Sequence, residues 1–158
     1  MLKKDDQVNF NQKVVTHIAA GGFVFCKDAK KLFVALIKDH HNRIVIPKGH
    51  LKKKEKPEEA AQREIIEELG LKQTPELLFF IDKVQYRFTL PSDNRLHVKD
   101  LYIYAFWLDS MEKLEPQLDE GISEATWFPI EGAQQIIQYN AEFLARAIKQ
   151  VKELQVKQ

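Results

Sequence analysis

Residues 49–71 read GHLKKKEKPEEAAQREIIEELGL, and within this stretch the pattern turns helical. Pro57 suits the first turn of a helix, and Glu58 and Glu59 suit the positive end of its dipole. Ala60, Ala61, Ile65 and Leu69 recur at helical spacing, and Gly70 is a natural C-terminal stop. A helix from about Pro57 to Leu69 is expected. At roughly 100° per residue, Glu64, Glu67 and Glu68 fall within an arc of about 100°. They form one strip beside the apolar face of Ala61, Ile65, Ile66 and Leu69. Like charges at these spacings repel by a few tenths of a kcal/mol per pair, about 0.2–0.5. A hard divalent cation reverses that sign, and carboxylate oxygens are ligands that Mg²⁺ and Mn²⁺ prefer. Taken alone, three Glu at this spacing read as a solvated acidic face. The lysines before them (Lys48, Lys52, Lys53, Lys54 and Lys56) add a second feature. A basic loop feeding an acidic helix suits an anionic ligand bridged to the helix by metal. Individually, Lys52 to Lys54 read as a solvated charge run. Lys48 differs, sitting inside the turn Pro47-Lys48-Gly49 at the mouth of a strand.

Strand patterns surround this segment. Val14 to Phe25 is rich in β-branched and aromatic residues, with Gly21-Gly22 marking a bulge or a close backbone approach. Lys27 to Lys30 is a polar turn and Leu32 to Ile37 a buried strand, so residues 14–37 read as a hairpin. Asp39 to Arg43 is a polar loop, and Ile44-Val45-Ile46 a short strand stopped by Pro47. Leu77 to Leu90 and Leu96 to Leu108, separated by Pro91-Ser92-Asp93-Asn94, form a long hairpin. Ala125 to Ile130 is another short strand. Glu131 to about Lys152 returns to helical spacing through Ile136, Ile137, Phe143, Leu144, Ala147, Ile148 and Val151. The whole reads as an α/β sandwich: a mixed sheet with one central and one C-terminal helix.

Composition narrows the class. The chain has 158 residues, 44% hydrophobic and 30% charged, the size and balance of one globular domain. With 24 Lys+Arg against 23 Asp+Glu, the formal net charge is +1, which gives no global reason to expect DNA or an acidic membrane as partner. Only Cys26 is present, so no internal disulfide forms, which fits a reducing compartment. No apolar run approaches the roughly 18 residues that span a bilayer. Met1 to Lys13 is polar, reads as a flexible N-terminal arm and lacks the apolar core of a secretory signal. A cytoplasmic, single-domain protein is expected. The five His residues show no zinc-like spacing, and no Walker-type phosphate loop or dinucleotide glycine fingerprint occurs. Cys26 reads as a buried strand residue.

Gly49 through Glu55, seven residues, then Arg63-Glu64-Ile65-Ile66-Glu67-Glu68-Leu69-Gly70-Leu71 matches the signature G-x5-E-x7-R-E-U-x-E-E-x-G-U, with U aliphatic. This is the box of the Nudix hydrolases, and every specified position is satisfied. The chain therefore resembles that family, whose fold is an α/β/α sandwich with a mixed central sheet. The resemblance implies hydrolysis of a nucleoside diphosphate linked to another moiety, by attack of water on phosphorus. It implies Mg²⁺ or Mn²⁺ held by Glu64, Glu67 and Glu68, joined by the Gly49 carbonyl. It gives Glu55 and Arg63 a pairing role, suited to a guanidinium–carboxylate fork, and Gly70 the end of the helix. Glu64 is the first candidate base, with Glu120 and Glu124 as alternatives from a later loop.

Ile46-Pro47-Lys48-Gly49-His50 is similar to the lead-in of the branch acting on diadenosine tetraphosphate and related polyphosphates. In that branch a Tyr about sixteen residues past the box holds a base, and Tyr86 lies at that offset. Lys99 looks like a Lys on the facing strand, and Lys48 is placed to contact phosphate. Phe88, Tyr102 and Tyr104 read as core or cross-strand pairs. The closing segment Glu124 to Glu131 is also similar, with Trp127 and Phe128 packing. Three positions depart from the branch: Ile44 replaces a Trp, Lys56 stands at the helix N-cap, and Gly121 stands where a Glu is usual. The last leaves the distal base open. The implied partner is a small nucleotide. Other nucleotides (ADP-ribose, a damaged triphosphate, an RNA 5′ end) and a nucleotide sensor without turnover are the alternatives. Either a monomer or a homodimer is compatible.

Overall fold

A computed structural model describes residues 13–118 and 121–156. The arm expected over residues 1–13 lies outside the described residues, apart from Lys13. The strands are β1 (Val15–Asp28), β2 (Lys31–Asp39), β3 (Ile44–Val45), β4 (Lys48–His50), β5 (Glu76–Thr89), β6 (Leu96–Leu108) and β7 (Ile122–Pro129). The helices are α1 (Pro57–Leu69), α2 (Ile130–Ile136) and α3 (Ala141–Val156). The sheet runs β3-β2-β1-β6-β5, with β4 added to β1 and β7 to β2. β1 and β6 are parallel and the other pairs antiparallel, so the sheet is mixed.

Each face of the sheet carries its own core. On one side α1 buries Ala60, Ala61, Ile65 and Leu69 against Val24, Phe106 and Leu108. Full burial of Ile65 and of Leu69 is worth roughly 2–3 kcal/mol each, more than the helix propensity of these residues supplies. On the other side α2 and α3 pack Ala133, Phe143, Leu144 and Ile148 on Phe25, Leu36 and Ile103. The α/β/α sandwich that the resemblance implies is the fold observed. Cys26 is fully buried and free. Among the described residues no helix is long and apolar enough to cross a membrane.

What positions the site is a fork in the sheet. One edge of β1 follows β6 from Val15 to Cys26 without a register shift. Its other edge is shared: Ala19–Gly21 pairs with β4, while Val24–Asp28 pairs with β2. Between these partners the Gly22 amide donates to the Pro47 carbonyl at 3.2 Å. No bulge forms at the glycine pair, so the close-approach reading applies. A Cβ at Gly21 would overlap the Pro47 carbonyl, and one at Gly22 the Tyr104 carbonyl.

Two elements differ from expectation. Lys48–His50 is a strand, not a turn, because its backbone pairs with Ala19–Gly21; a three-residue strand has no readable alternation. The single helix expected from Glu131 to about Lys152 is two helices. Ile137 is extended (φ −63°, ψ 131°), Asn140 has φ 66°, and the Gln138 amide donates to the Ile44 carbonyl at 3.0 Å. Asn tolerates the left-handed region, and its carbonyl then accepts the Phe143 and Leu144 amides that open α3.

Candidate active site

The fork opens into a cleft of about 280 Å³. β4 contributes Lys48, Gly49 and His50, α1 contributes Glu68, β6 contributes Lys99, and the end of β2 with its turn contributes Asp39, His40 and Arg43.

The carboxylate strip of α1 meets β4 directly. Glu68 is buried at 9% exposure, and its Oε2 accepts the Lys48 backbone N–H at 3.0 Å. The Glu64 carboxyl lies against Gly49, where a Cβ would overlap it. Glu67, which does not line the cleft, has 35% of its side chain exposed. Arg63 ties these groups together. Its Nε and Nη2 donate to the two oxygens of Glu55, each at 2.8 Å. Its Nη1 donates to Glu64 at 2.7 Å and Glu67 at 3.4 Å, and Nη2 also reaches the His50 carbonyl at 3.0 Å. One guanidinium therefore fixes the loop, the helix and the end of β4 to one another.

The ends of α1 hold this register. Pro57 occupies the first turn, and the Lys56 amide donates to the Glu59 carboxylate at 3.4 Å. That is a reciprocal half of a capping box, with no acceptor side chain at position 56 itself. At the other end Gly70 adopts φ 67°, ψ 40° and donates to the Ile66 carbonyl, a left-handed cap that glycine adopts without Cβ strain.

Electrostatics follow from these contacts. Hydrogen bonds from Arg63, then from the Lys52 amide, hold the Glu55 carboxyl down to about 2 from its ordinary 4.5. Burial pulls the Lys48 ammonium below the ordinary lysine range, with the Lys99 charge adding to it; burial does the same to Lys99. Burial lowers His50, helped by Lys99 and His17. A depressed carboxyl stabilises the fold above its unfolded pKa and loses that contribution as pH falls through its folded value. The Glu55–Arg63 contribution is therefore complete above about 4.5 and lost toward 2. Glu55→Gln should remove that part of the acid sensitivity. Parallel denaturant titrations at pH 6 and pH 3 check it: the wild type should lose more stability between them than the variant. Equal losses would contradict the assignment.

Among the described residues no three carboxylates or imidazoles converge on one point as they stand. Glu64 and Glu67 turn to Arg63, and Glu68 to the Lys48 amide. The donor set nevertheless fits a hard divalent ion. It is all oxygen, its three carboxylates share one helix strip with Glu64 and Glu68 against β4, and Gly49 leaves room for the Glu64 carboxyl that a side chain would fill.

The other residues singled out from sequence are distributed as follows. Tyr86 lies directly across β5–β6 from Lys99, half-buried, its hydroxyl donating to Asn140 Oδ1 at 3.1 Å. Glu124 is not at the cleft: it pairs with Lys38 at 3.2 Å and is 62% exposed. Glu120 lies outside the described residues. Trp127 Nε1 donates to the Glu112 carbonyl at 2.9 Å, its ring half-buried.

Sequence reading missed the turn at Asp39–Arg43, which it took as an ordinary polar loop. The Asp39 carboxylate accepts the His41 amide and the Arg43 amide and Nε, all within 3.0 Å. Arg43 donates onward to the Tyr139 hydroxyl at 3.1 Å. The His40 ring packs over Gly121, its Nδ1 3.3 Å from where a Cβ would stand. An acidic residue four before an arginine was the available signal; its position at the cleft was not.

Solved structures share this architecture. An Ap4A hydrolase of C. elegans in a binary complex has TM-score 0.68 and 20% identity, over 87% of this chain and 98% of that one. A Nudix hydrolase from Listeria monocytogenes has TM-score 0.71 and 20% identity, over 86% and 94%. The NUDIX domain of Shewanella oneidensis NrtR, complexed with ADP ribose, has TM-score 0.65 and 15% identity, over 98% and 99%. At these identities the likeness is one of fold. Residues 15–149, most of the chain, match the sequence model of the NUDIX domain. The chain belongs to the NUDIX family and is a pyrophosphohydrolase of that type.

Proposed function

We propose that the enzyme hydrolyses a phosphoanhydride bond in dinucleoside polyphosphates with Mg²⁺ or Mn²⁺, water attacking phosphorus. The observation that carries this reading is the meeting of Lys48, Lys99 and Arg43 with Glu68 and Gly49 in one cleft. A cleft that joins three cations to Glu68 suits a long polyphosphate chain bridged to the protein by metal. Glu64, Glu67 and Glu68, with the Gly49 carbonyl, would hold the ion. When bound, such an ion neutralises phosphate oxygens and stabilises charge on the departing one. Lys48 and Lys99 bind the non-bridging oxygens. Glu64 accepts the proton of the attacking water. Arg63 and Glu55 orient the carboxylate strip. Tyr86, across from Lys99, stacks a nucleobase. The fold likeness to a C. elegans Ap4A hydrolase agrees with this choice; the likeness to a domain complexed with ADP ribose makes that compound the comparison substrate.

Reaction of diadenosine tetraphosphate in oxygen-18 water tests the reading. Asymmetric cleavage to ATP and AMP is expected. Symmetric cleavage, or a preference for ADP-ribose above about tenfold (about 1.4 kcal/mol in transition-state binding), would overturn the substrate. Nucleotide binding without turnover would make the protein a sensor.

A pH dependence follows from the two lysines. Burial holds both below the ordinary 10.5, so both lose charge at lower pH than an ordinary lysine. KM for the nucleotide should climb on the alkaline side before ordinary lysines titrate. Lys48→Arg, which keeps its charge, should push that limb to higher pH. An unmoved KM profile would remove Lys48 from phosphate binding.

A further inference from the structure

A group of rings on the same face of the sheet remains unused by this chemistry. His17, Phe88 and His97 stand nearly parallel. Ring centroids are 5.1 Å apart for His17–His97 and for Phe88–His97, and 6.0 Å for His17–Phe88, with interplanar angles of 18°, 14° and 23°. His97 is buried, while Phe88 is 36% exposed and His17 is half-buried. A hydrogen-bonded chain fixes them: Asp93 Oδ2 to His97 Nε2 at 2.8 Å, and His97 Nδ1 to His17 Nε2 at 2.8 Å. An ionised carboxylate only accepts, so His97 carries its proton on Nε2. With both rings neutral, its Nδ1 accepts from His17 Nε2–H, which leaves the Nδ1 edge of His17 as an acceptor. The result is a π-surface beside a hydrogen-bond acceptor, the two features by which a purine with an exocyclic amine is held.

Register ties this group to the cleft. His17 pairs with Lys99, and Lys99 with Tyr86. Directly paired residues project to one face. Strands are about 4.8 Å apart, so His17 and Tyr86 flank Lys99 with roughly 10 Å between them. Phe88 and His97 form the next row of that face. The His17 ring also meets the His50 ring edge-on at 5.8 Å, which links the group to the wall of the cleft.

We propose that His17, Phe88 and His97 form a second nucleobase platform, taking the purine at the far end of the polyphosphate from the one at Tyr86. This rests on the dinucleoside polyphosphate reading and deepens it. Phosphates crossing Lys99 have an aromatic surface on each side, and a mononucleotide uses only one. The platform rewards the second nucleoside alone.

The test compares kcat/KM for diadenosine tetraphosphate with that for adenosine tetraphosphate. Phe88→Ala and His17→Ala should each lower the ratio about tenfold, within the loss expected when one stacking ring is removed. Phe88→Tyr, which keeps a ring, should retain it. A ratio within about twofold of the wild type in both alanine variants, or equal loss on both substrates, would overturn the platform and leave the proposed activity standing. Failure of the wild type to cleave diadenosine tetraphosphate would overturn both.

Discussion

Glu67→Gln should lower kcat by roughly a thousandfold with little change in thermal stability. Glu67 is the least buried carboxylate of the strip, 35% exposed against 13% for the Glu64 side chain. It packs into neither core, and its bond to Arg63 is long at 3.4 Å. Neutralising it relieves repulsion with Glu64 and Glu68 and gives up one loose ion pair. Both effects are a few tenths of a kcal/mol, of the order of 0.5, and opposite in sign. Turnover answers to a different quantity. An ion clamped on phosphate supplies several kcal/mol of charge stabilisation in the transition state, and about 4 kcal/mol is roughly a thousandfold. Steady-state kinetics beside a melting curve separates the two. A variant that melts normally and turns over within tenfold of the wild type would remove Glu67 from the site.

Gly49→Ala should cost at least about a hundredfold in activity and about 1–3 kcal/mol in stability. The new Cβ would overlap the Glu64 carboxyl. Neither neighbour yields cheaply. Residue 49 is locked to Ala20 by the β1–β4 pairing, and Glu64 is held by the Nη1 of Arg63 at 2.7 Å. Moving Glu64 therefore disturbs the whole Arg63 fork, including both bonds to Glu55. Denaturant melts and kcat measure the two losses. A double variant Gly49→Ala/Glu64→Ala should recover most of the stability and none of the activity. Recovery of activity would show that the clash is not the cause.

The sequence exposes the parts of this molecule whose physics is local. Helix α1 is legible because Pro57, the Ala60–Leu69 stripe and Gly70 each act within a turn or two. Glu64, Glu67 and Glu68 are legible because helical spacing alone puts them on one strip. The long hairpins are legible from their strand composition and the turn at Pro91–Asn94. Other features are tertiary events. β4 exists because Ala19–Gly21 pairs with it. The break between α2 and α3 exists because Gln138 reaches the Ile44 carbonyl and Asn140 turns left-handed; neither a glycine nor a proline marks it. His17 and His97 are separated by eighty residues and meet only because β1 runs parallel to β6. Which cations share a wall with Glu68 depends on the fork between β2 and β4, and no spacing within either strand reports it.

The carboxylate strip of α1 is expected to take up a hard divalent ion. Titration of the protein with Mn²⁺, followed by the paramagnetic signal of the free ion, measures this directly. At least one Mn²⁺ should bind per chain, displaced by excess Mg²⁺, with affinity reduced about tenfold or more in Glu64→Gln and Glu68→Gln. Absence of uptake by the wild type, or equal uptake by the variants, would contradict it.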